Sequence, residues 1–250
     1  MDVRGKTALV TGAARRVGRS IALALAAEGA DLALHYNRSR TEALSLAREI
    51  ERRHATRARV FKAELARPRE VEGLAERVLR AMGPVRVLVN NASLYEPSPL
   101  GRVSWRDFND NIAVNLRAPF FLAQAFAPAM RAAGGGSIIN IADWAALRPY
   151  AGYIPYCVSK AGLLCLNTAL AKALAPRIRV NALLPGPVLL PEGFSKARRE
   201  AVREAVPLKR LGTPAEVARA VVFLVRSDFI TGAALPVDGL DGEAIAARPG

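Results

Sequence analysis

The strongest constraint on the fold is an alternation of short apolar runs with longer segments of helical period, which continues along the whole chain. The runs have the length of strands and are apolar throughout, so we expect strands that are buried on both faces of a sheet. Helical segments between successive runs allow such strands to lie parallel. The seven runs cover residues 8–10, 32–34, 59–61, 85–89, 137–141, 178–183 and 233–237. The sequence therefore predicts an α/β fold with a doubly wound, seven-stranded parallel sheet and helices on both faces.

The segments of helical period begin with recognisable signals. Pro68 occupies a first-turn position, and Thr213-Pro214-Ala215-Glu216 has the spacing of a capping box with proline at the first helical position. No linker rich in Pro, Gly or Ser interrupts the pattern, so residues 1–250 are expected to form one domain. The predicted helices cover residues 17–28, 41–53, 106–131 and 153–174, with two more that start at Pro68 and Thr213.

The net charge of +14, from 36 Lys and Arg against 22 Asp and Glu, raises the question of a nucleic-acid partner. The arginines are dispersed, however, and pairs such as Arg52-Arg53 and Arg198-Arg199 have glutamates nearby, as solvated helix faces do. We therefore expect no specific nucleic-acid partner. A small anionic molecule, such as a phosphorylated cofactor, accounts for the charge with fewer assumptions.

The sequence offers no group of metal ligands and no membrane segment. His35 and His54 stand alone, and Cys157 and Cys165 would lie about 12 Å apart on one helix, too far for a disulfide. We expect both cysteines in the core and both histidines to be structural or exposed. Residues 1–6 lack the apolar core of a signal peptide, and no apolar run approaches about 18 residues. These features predict a cytoplasmic protein without a metal.

The segment between the first strand and the first helix reads Thr11-Gly12-Ala13-Ala14-Arg15-Arg16-Val17-Gly18. Gly12 permits a tight turn and Gly18 permits close packing, while the helix start offers free N–H groups and a positive dipole to a diphosphate. In a doubly wound sheet, ligands bind at this end of the strands. The segment predicts a dinucleotide-binding turn.

The segment after the second strand, His35-Tyr36-Asn37-Arg38-Ser39, indicates which dinucleotide is bound. A free ribose 2′-hydroxyl is usually met by Asp or Glu at this place, whereas a 2′-phosphate is met by Arg. The segment has no acid and supplies a guanidinium and a hydroxyl, and Arg16 can approach the same phosphate. It predicts NADP(H) as the cofactor.

Tyr156 and Lys160 are four residues apart on a predicted helix, so their side chains face the same side. An ammonium group near a tyrosine stabilises the tyrosinate. We therefore expect a lowered pKa for Tyr156, which suits a proton donor that works near neutral pH.

Five motifs follow one another along the chain: Thr11-Gly12 with Gly18, Asn90-Asn91-Ala92, Asn115, Tyr156-Cys157-Val158-Ser159-Lys160 and Pro185-Gly186. In order and spacing they resemble the classical short-chain dehydrogenase/reductase superfamily, from Lys6 to about Gly239. The resemblance implies a Rossmann-type fold, a nicotinamide cofactor and catalysis by Tyr156 and Lys160. It also implies that Lys160 holds the nicotinamide ribose, and that Asn115 binds a water that links Lys160 to solvent.

Four departures from the superfamily pattern narrow the resemblance. Arg16 replaces the usual middle glycine of the first loop, and Ser93 replaces the glycine after Asn-Asn-Ala. Glu64 stands where an Asp usually lies beside the adenine, and Asp143 takes the position of the catalytic serine. With the His-Tyr-x-Arg-Ser segment, these departures resemble the pteridine reductase branch, which reduces pterins or folates with NADPH. In that branch Asp143 would hydrogen-bond Tyr156 and, when protonated, donate to a substrate nitrogen.

The site residues follow from the turn, the second-strand segment and the resemblance, and they form three groups. The predicted catalytic residues are Asn115, Asp143, Tyr156 and Lys160. The predicted cofactor-binding residues are Gly12, Arg15, Arg16, Val17, Gly18, Tyr36, Asn37, Arg38, Ser39, Glu64, Leu65, Asn91, Ala92, Tyr156, Lys160, Pro185, Gly186 and Val188. The predicted substrate residues are Arg16, Ser93, Tyr95, Asp143 and Tyr156, with the Tyr95 ring covering a flat pterin. Residues 188–194 are expected to form a mobile lid, whose apolar side chains suit an acyl chain as well as a pterin.

Two alternatives stay open. A ketone or 3-oxoacyl-thioester reductase of the same superfamily differs from a pteridine reductase only at Arg16, Tyr95 and Asp143. A non-catalytic NADP(H)-binding or nucleic-acid-binding protein fits the basic charge, but the intact Tyr156 and Lys160 disfavour it.

The two longest predicted helices, from about Arg106 and from Tyr153, carry apolar residues on more than one face. One face can cover the sheet, which leaves another for a partner. The resemblance adds the stoichiometry, since superfamily members commonly pair through these helices. We therefore expect a homotetramer, with Phe120, Phe121, Phe126, Leu163 and Leu166 among the apolar residues that point to it.

Overall fold

The computed structural model describes residues 1–190 and 193–239, in which seven strands form one sheet. Every neighbouring pair of strands is parallel, and the order is β3-β2-β1-β4-β5-β6-β7. The predicted doubly wound parallel sheet is therefore confirmed. The strands are β1 (Thr7–Val10), β2 (Asp31–Tyr36), β3 (Ala58–Lys62), β4 (Val85–Asn90), β5 (Gly136–Ile141), β6 (Ile178–Pro185) and β7 (Ala234–Val237).

Eight α-helices in the described residues cover both faces of the sheet. Side chains of α1, α2 and α8 pack on one face, and side chains of α3, α5 and α6 pack on the other. Side chains alternate between the two faces along β1, since Val10 packs in the core on one face and Leu9 in the core on the other. The helices are α1 (Arg16–Ala27), α2 (Arg40–His54), α3 (Pro68–Met82), α4 (Trp105–Ile112), α5 (Ala118–Ala132), α6 (Ile154–Leu174), α7 (Lys196–Ala205) and α8 (Pro214–Arg226).

The strand order positions the site. The chain runs outward from β1 through β2 to β3, and then returns to place β4 on the other side of β1. The connections after β1 and β4 therefore leave in opposite directions and open a crevice at the carboxyl ends of these strands, where ligands of such sheets bind. Gly12 follows β1 and Asn91 follows β4, so both lie at this crevice.

The expectation that all strands are buried on both faces is wrong for the two edge strands. In β3, Ala58 and Phe61 are buried while Arg59 and Lys62 are exposed, and β7 is partly exposed along its length. The cause is position, since an edge strand has a neighbour on one side only and helices cover it incompletely. The five inner strands fit the expectation, with at most one residue short of full burial in each.

The helix predicted over residues 106–131 is interrupted. It begins at Trp105 behind a capping box of Ser104 and Asp107, and a π-helical turn at Ala113–Arg117 separates α4 from α5. A π-turn widens the helix, and this one carries Asn115 into the interior, where it is 1% exposed. For the region of α7, the sequence indicated only a helix-like stretch around Arg198-Arg199. In the structure the helix is complete, and the Ser195 side chain caps its start.

Helix α6 bears on two expectations, those for a membrane segment and for the cysteines. It is 21 residues long with a window of mean hydropathy 1.2, so length and composition alone permit a membrane span. Its packing is that of a helix in a globular core, because it lies against β6 and buries Lys160 and Asn167. Cys157 is buried as expected, but Cys165 on the same helix is exposed, and both thiols are free.

Candidate active site

The turn after β1 is held from two sides. Gly12 adopts a left-handed backbone with φ +63°, its N–H donates to Nδ1 of His35 at 3.0 Å, and its carbonyl accepts from the Asn91 amide at 3.2 Å. The Thr11 hydroxyl accepts the N–H groups of Asn91 and Ala92 at 2.9 and 3.0 Å. These bonds fix the predicted Gly12, Asn91 and Ala92 against one another at the crevice.

The start of α1 has no side-chain cap and no space for a side chain at Gly18. A Cβ at Gly18 would lie 2.2 Å from the Gly12 carbonyl oxygen, so only glycine fits there. Helix α1 begins behind Arg15 without a side-chain cap and has no acidic residue in its first turn. Uncapped N–H groups at the positive end of a helix suit an anion. These observations fit the diphosphate of a dinucleotide, which Arg15, Val17 and Gly18 would contact.

Arg16 reaches across the crevice. Its backbone is left-handed, with φ +53°, and its guanidinium donates to the carbonyl oxygen of Leu189 at 3.0 Å. This contact joins the turn of residues 11–18, the predicted phosphate-binding turn, to the segment expected to be a lid. Residues 191–192 of that segment lie outside the described part. The neighbouring Arg15 lies 3.6 Å from Glu42. The two arginines therefore point to different sides of the turn.

The residues expected to meet the adenosine half of the cofactor follow β2 and β3. Tyr36 is buried against Ala14 and Ala43, whereas Asn37 and Arg38 are exposed and Ser39 is half-buried. In the part of the chain that the structure describes, the Arg38 guanidinium has no partner within the protein. It is free to meet a phosphate. After β3, Leu65 is buried, and the Glu64 carboxylate is paired with Arg67 at 2.9 Å.

The predicted cofactor-binding residues after β6 lie at the carboxyl end of that strand. A Cβ at Gly186 would lie 2.6 Å from the Asp238 side chain, so this position also requires glycine. The Gly186 N–H donates to Val237 at 3.1 Å, and Val188 is buried. The predicted residues Pro185, Gly186 and Val188 therefore lie together at the end of β6.

Asp143 and Tyr156 form a close pair. The Tyr156 hydroxyl donates to one Asp143 carboxylate oxygen at 2.6 Å, and the other oxygen accepts the Ala145 N–H at 2.8 Å. Burial raises the pKa of Asp143. Burial and the adjacent Asp143 also raise the pKa of Tyr156 well above its ordinary value. The expected lowering of the Tyr156 pKa is therefore wrong for this structure, because the hydroxyl is buried and the group that it meets is an acid.

Lys160 lies under the pair and is 2% exposed. Its ammonium donates to the Ile141 carbonyl oxygen at 2.8 Å and stands 5.6 Å from the centre of the Tyr156 ring. Burial lowers the pKa of Lys160 to about 8. A group with this pKa can gain or lose a proton near neutral pH.

Asn115 connects three elements around this centre. Its amide donates to the Leu94 carbonyl oxygen and to the Ser159 hydroxyl, both at 3.0 Å, and its oxygen accepts the Leu94 N–H at 2.8 Å. The π-turn thereby fixes the loop after β4 to α6. Its expected part in a water chain to Lys160 stays a prediction.

Four of the five tyrosines in the chain pack together where the substrate is expected to bind. The Tyr95 ring stacks on Tyr153 with centroids 4.5 Å apart and meets Tyr156 edge-on at 4.8 Å. The Tyr150 hydroxyl donates to that of Tyr95 at 3.1 Å. Ser93 is exposed at the start of the same loop. Tyr150 and Tyr153 were missed in the sequence, where their nearness to Tyr156 was the available signal.

Comparisons with known proteins agree with this geometry. A family profile of the short-chain dehydrogenase type, described as Enoyl-(Acyl carrier protein) reductase, matches residues 12–239. The chain belongs to the short-chain dehydrogenase/reductase family. It is thus an NAD(P)-dependent oxidoreductase of that family, and the predicted class of cofactor is confirmed. Among the described residues no cluster of His, Cys, Asp and Glu is arranged to hold a metal.

Three relatives of this short-chain dehydrogenase/reductase are informative. The 3-oxoacyl-(acyl-carrier-protein) reductase FabG of Staphylococcus epidermidis is 35% identical over 239 residues, which are 94% of this chain and 98% of the relative. FolM alternative dihydrofolate reductase 1 from Brucella canis, solved with NADP, is 34% identical with a TM-score of 0.90, over 99% of this chain and 97% of that one. A blue fluorescent protein from a metagenomic library, solved with NADPH, is 36% identical with a TM-score of 0.88, over 99% of this chain and 100% of that one.

Proposed function

We propose that this protein is an NADPH-dependent reductase of the pteridine reductase type, which transfers hydride to a pterin or folate substrate. The observation that carries the proposal is the 2.6 Å hydrogen bond between Tyr156 and Asp143 at the substrate face. A serine at position 143 would suffice to bind a carbonyl oxygen, whereas an acid there suits a substrate whose nitrogen must be protonated. The similarity to an alternative dihydrofolate reductase supports the same reading.

The chain's own residues divide the work. When bound, the nicotinamide supplies the hydride. Because burial raises the pKa of Asp143, the acid is protonated more readily than an exposed aspartate, and the pair with Tyr156 can release a proton. Asp143 gives that proton to a ring nitrogen of the substrate as the adjacent carbon accepts the hydride, so a C=N bond becomes CH–NH. The Tyr156 hydroxyl, which donates to Asp143, restores the proton of the acid, and Lys160 then returns a proton to Tyr156.

The tyrosine wall orients a flat substrate. One face of Tyr95 is occupied by Tyr153, and its hydroxyl is fixed by Tyr150. Such a ring loses little freedom on binding and offers a planar apolar surface to a heterocycle. Ser93 and Arg16 would meet the polar edge of the substrate. The proposal includes a cytoplasmic location and a single domain over residues 1–250.

A 3-oxoacyl-thioester or ketone reductase is the second candidate. The 35% identity to FabG favours it, as do the apolar side chains of Val188, Leu189 and Leu190 beside the crevice, which suit an acyl chain. NADPH consumption with dihydrobiopterin, dihydrofolate and an acetoacetyl thioester, measured side by side, separates the candidates. The proposal requires faster turnover of a pterin or folate. Faster turnover of the thioester selects the second candidate, and no oxidation of NADPH would indicate a non-catalytic binding protein.

Arg38→Asp is expected to weaken NADPH binding by about one to two decades and to change NADH binding little. A charge-assisted contact with phosphate is worth about 1.5–3 kcal/mol, and the free guanidinium of Arg38 stands where a 2′-phosphate would lie. Fluorescence titration of both nucleotides measures the effect, with Arg52→Asp on α2 as a control for net charge. Equal affinity of the unmutated protein for NADPH and NADH would contradict the assignment.

A homotetramer is the expected assembly in solution. Less than half of the most apolar stretch of α6 is buried (44%), and Val158 on its outer side is 46% exposed. This side borders an open hollow of about 470 Å³ whose lining carries no charge, formed by Ala145, Ala146, Pro149, Tyr150, Ala151, Ile154, Cys157, Val158 and Ala161. Light scattering should give four chains, and Val158→Glu should lower that number while Arg52→Glu does not. A stable monomer at micromolar concentration would contradict the expectation.

A further inference from the structure

His35 takes a position that its place in an apolar strand did not reveal. It is 2% exposed at the end of β2, directly beside the turn that follows β1. Its Nδ1 accepts the Gly12 N–H at 3.0 Å, and its own backbone carbonyl accepts the Ala13 N–H at 2.9 Å. One residue therefore binds two consecutive donors of the phosphate-binding turn.

The second ring nitrogen points to another part of the crevice. Nε2 lies 3.1 Å from the Ala63 carbonyl oxygen, at the end of β3 and one residue before Glu64. Since Nδ1 accepts a hydrogen bond, the proton of the neutral ring lies on Nε2, which donates to Ala63. Burial lowers the pKa of His35 to about 4, so the ring is neutral near pH 7. The imidazole thus joins the diphosphate side to the adenine side of the crevice.

The contact matters because of the geometry at Gly12. This glycine is held between His35 and Asn91, with φ +63°, and its carbonyl oxygen lies so close to Gly18 that no Cβ fits there. Without the imidazole the Gly12 N–H loses its partner in a partly buried place, which favours a different backbone conformation. Any rotation at Gly12 would move the donors at the start of α1 that face a diphosphate.

We propose that His35 is a positioning residue for the dinucleotide, which fixes the Gly12 turn by accepting its N–H at Nδ1. This inference rests on the proposed use of NADP(H). It concerns the diphosphate, which NADPH and NADH share, and is therefore independent of the contact between Arg38 and a 2′-phosphate. Loss of the hydrogen bond between Gly12 and His35 should therefore lower the affinities for NADPH and NADH by the same factor.

Three substitutions separate the two ring contacts. In His35→Asn the amide places an acceptor near the position of Nδ1, in His35→Gln it reaches the position of Nε2, and in His35→Leu both contacts are lost. We expect the leucine and glutamine variants to raise the dissociation constants of NADPH and NADH about 10-fold or more, from the unpaired Gly12 N–H. The asparagine variant should stay within about 3-fold of the unmutated protein.

Fluorescence titration of the pure protein measures these constants, and thermal unfolding reports the stability of each variant. Met130→Ala, which removes a buried side chain of α5 far from the turn, is the matched control for lost stability without lost binding. Nitrogen-15 NMR of the unliganded, unmutated protein should find Nδ1 unprotonated and Nε2 protonated. That spectrum requires no variant and no cofactor.

Protonated Nδ1 in that spectrum would overturn the inference, and so would unchanged nucleotide affinity in His35→Leu. Loss of affinity in His35→Asn equal to that in His35→Leu would also overturn it, since the Gly12 contact would then not be the one that matters. Failure of the proposed function has a different signature. The unmutated protein would then prefer NADH or reject pterins, while the ratios between the His35 variants would be unchanged.

Discussion

Replacing Asp143 with serine is expected to lower turnover of a pterin substrate about 10²–10⁴-fold, which corresponds to about 3–5 kcal/mol of activation free energy. The reason is the loss of the acid that is hydrogen-bonded to Tyr156 at 2.6 Å. A serine hydroxyl can hold Tyr156, but it is too weak an acid to protonate a ring nitrogen. NADPH affinity should remain nearly unchanged, because no contact of Asp143 reaches the phosphate-binding turn. Steady-state kinetics and a nucleotide titration measure the two effects separately.

Two further variants make the Asp143 result specific. Asp143→Asn keeps the shape and a hydrogen-bond acceptor but removes the acidic proton, so its loss of pterin turnover should match that of Asp143→Ser. Tyr156→Phe supplies the reference for a site without the tyrosine proton. If both Asp143 variants retain nearly full pterin activity while Tyr156→Phe is inactive, Asp143 only caps the short helix at Trp144–Ala146, and the assignment returns to a ketone reductase.

Lys160→Met is expected to lower turnover about 10²–10⁴-fold. At pH 7 the variant should be at least as stable as the unmutated protein. Burial lowers the pKa of Lys160 from 10.5 to about 8, so keeping the ammonium charged in the folded state costs about 3 kcal/mol. A buried thioether carries no such cost. The unpaired Ile141 carbonyl oxygen offsets about 1–3 kcal/mol of the gain.

The pH dependence of unfolding tests the same group. Because the pKa of Lys160 is lower in the folded than in the unfolded protein, the folded state binds fewer protons between about pH 8 and pH 10.5. The contribution of Lys160 to stability therefore rises with pH across this window, and the methionine variant should lack that rise. Urea unfolding at pH 7 and pH 10 measures it. The expectation would be contradicted if Lys160→Met were less stable than the unmutated protein by more than about 2 kcal/mol at pH 7 and its stability still rose between pH 7 and pH 10.

The inner part of the fold could be predicted because its signal is local. Strands β4 and β5 differ by one residue from their apolar runs, and the start of α8 follows from its own capping residues. The exposure of β3 and β7 depends on their places at the edges of the sheet, which no local pattern contains. The π-turn at Asn115 likewise depends on Leu94, which lies 21 residues earlier in the chain.

Part of the candidate site could be predicted from motifs, including the hydrogen bond between Tyr156 and Asp143, whereas Tyr150, Tyr153 and the ring contacts of His35 could not. The turn, the Tyr156 and Lys160 spacing and Asp143 were visible as motifs. The pKa of Tyr156 was predicted in the wrong direction, because the hydroxyl is buried and its partner is the Asp143 carboxylate. The position of His35 beside the turn follows only from the register between β1 and β2, which the sequence does not show. Val10 lies opposite Leu34, which places the residue after Leu34 beside the turn that follows Val10.

The left-handed backbone at Arg16 has a consequence for the thermodynamics of ligand association. A glycine at this position would leave the turn many accessible conformations, whereas an arginine with φ +53° has few. Such a residue costs about 1–2 kcal/mol when the protein folds, but the entropy of ordering the turn is then lost before any nucleotide arrives. We therefore expect a dinucleotide to bind a preorganised loop, so that more of the enthalpy of its phosphate contacts is retained as affinity.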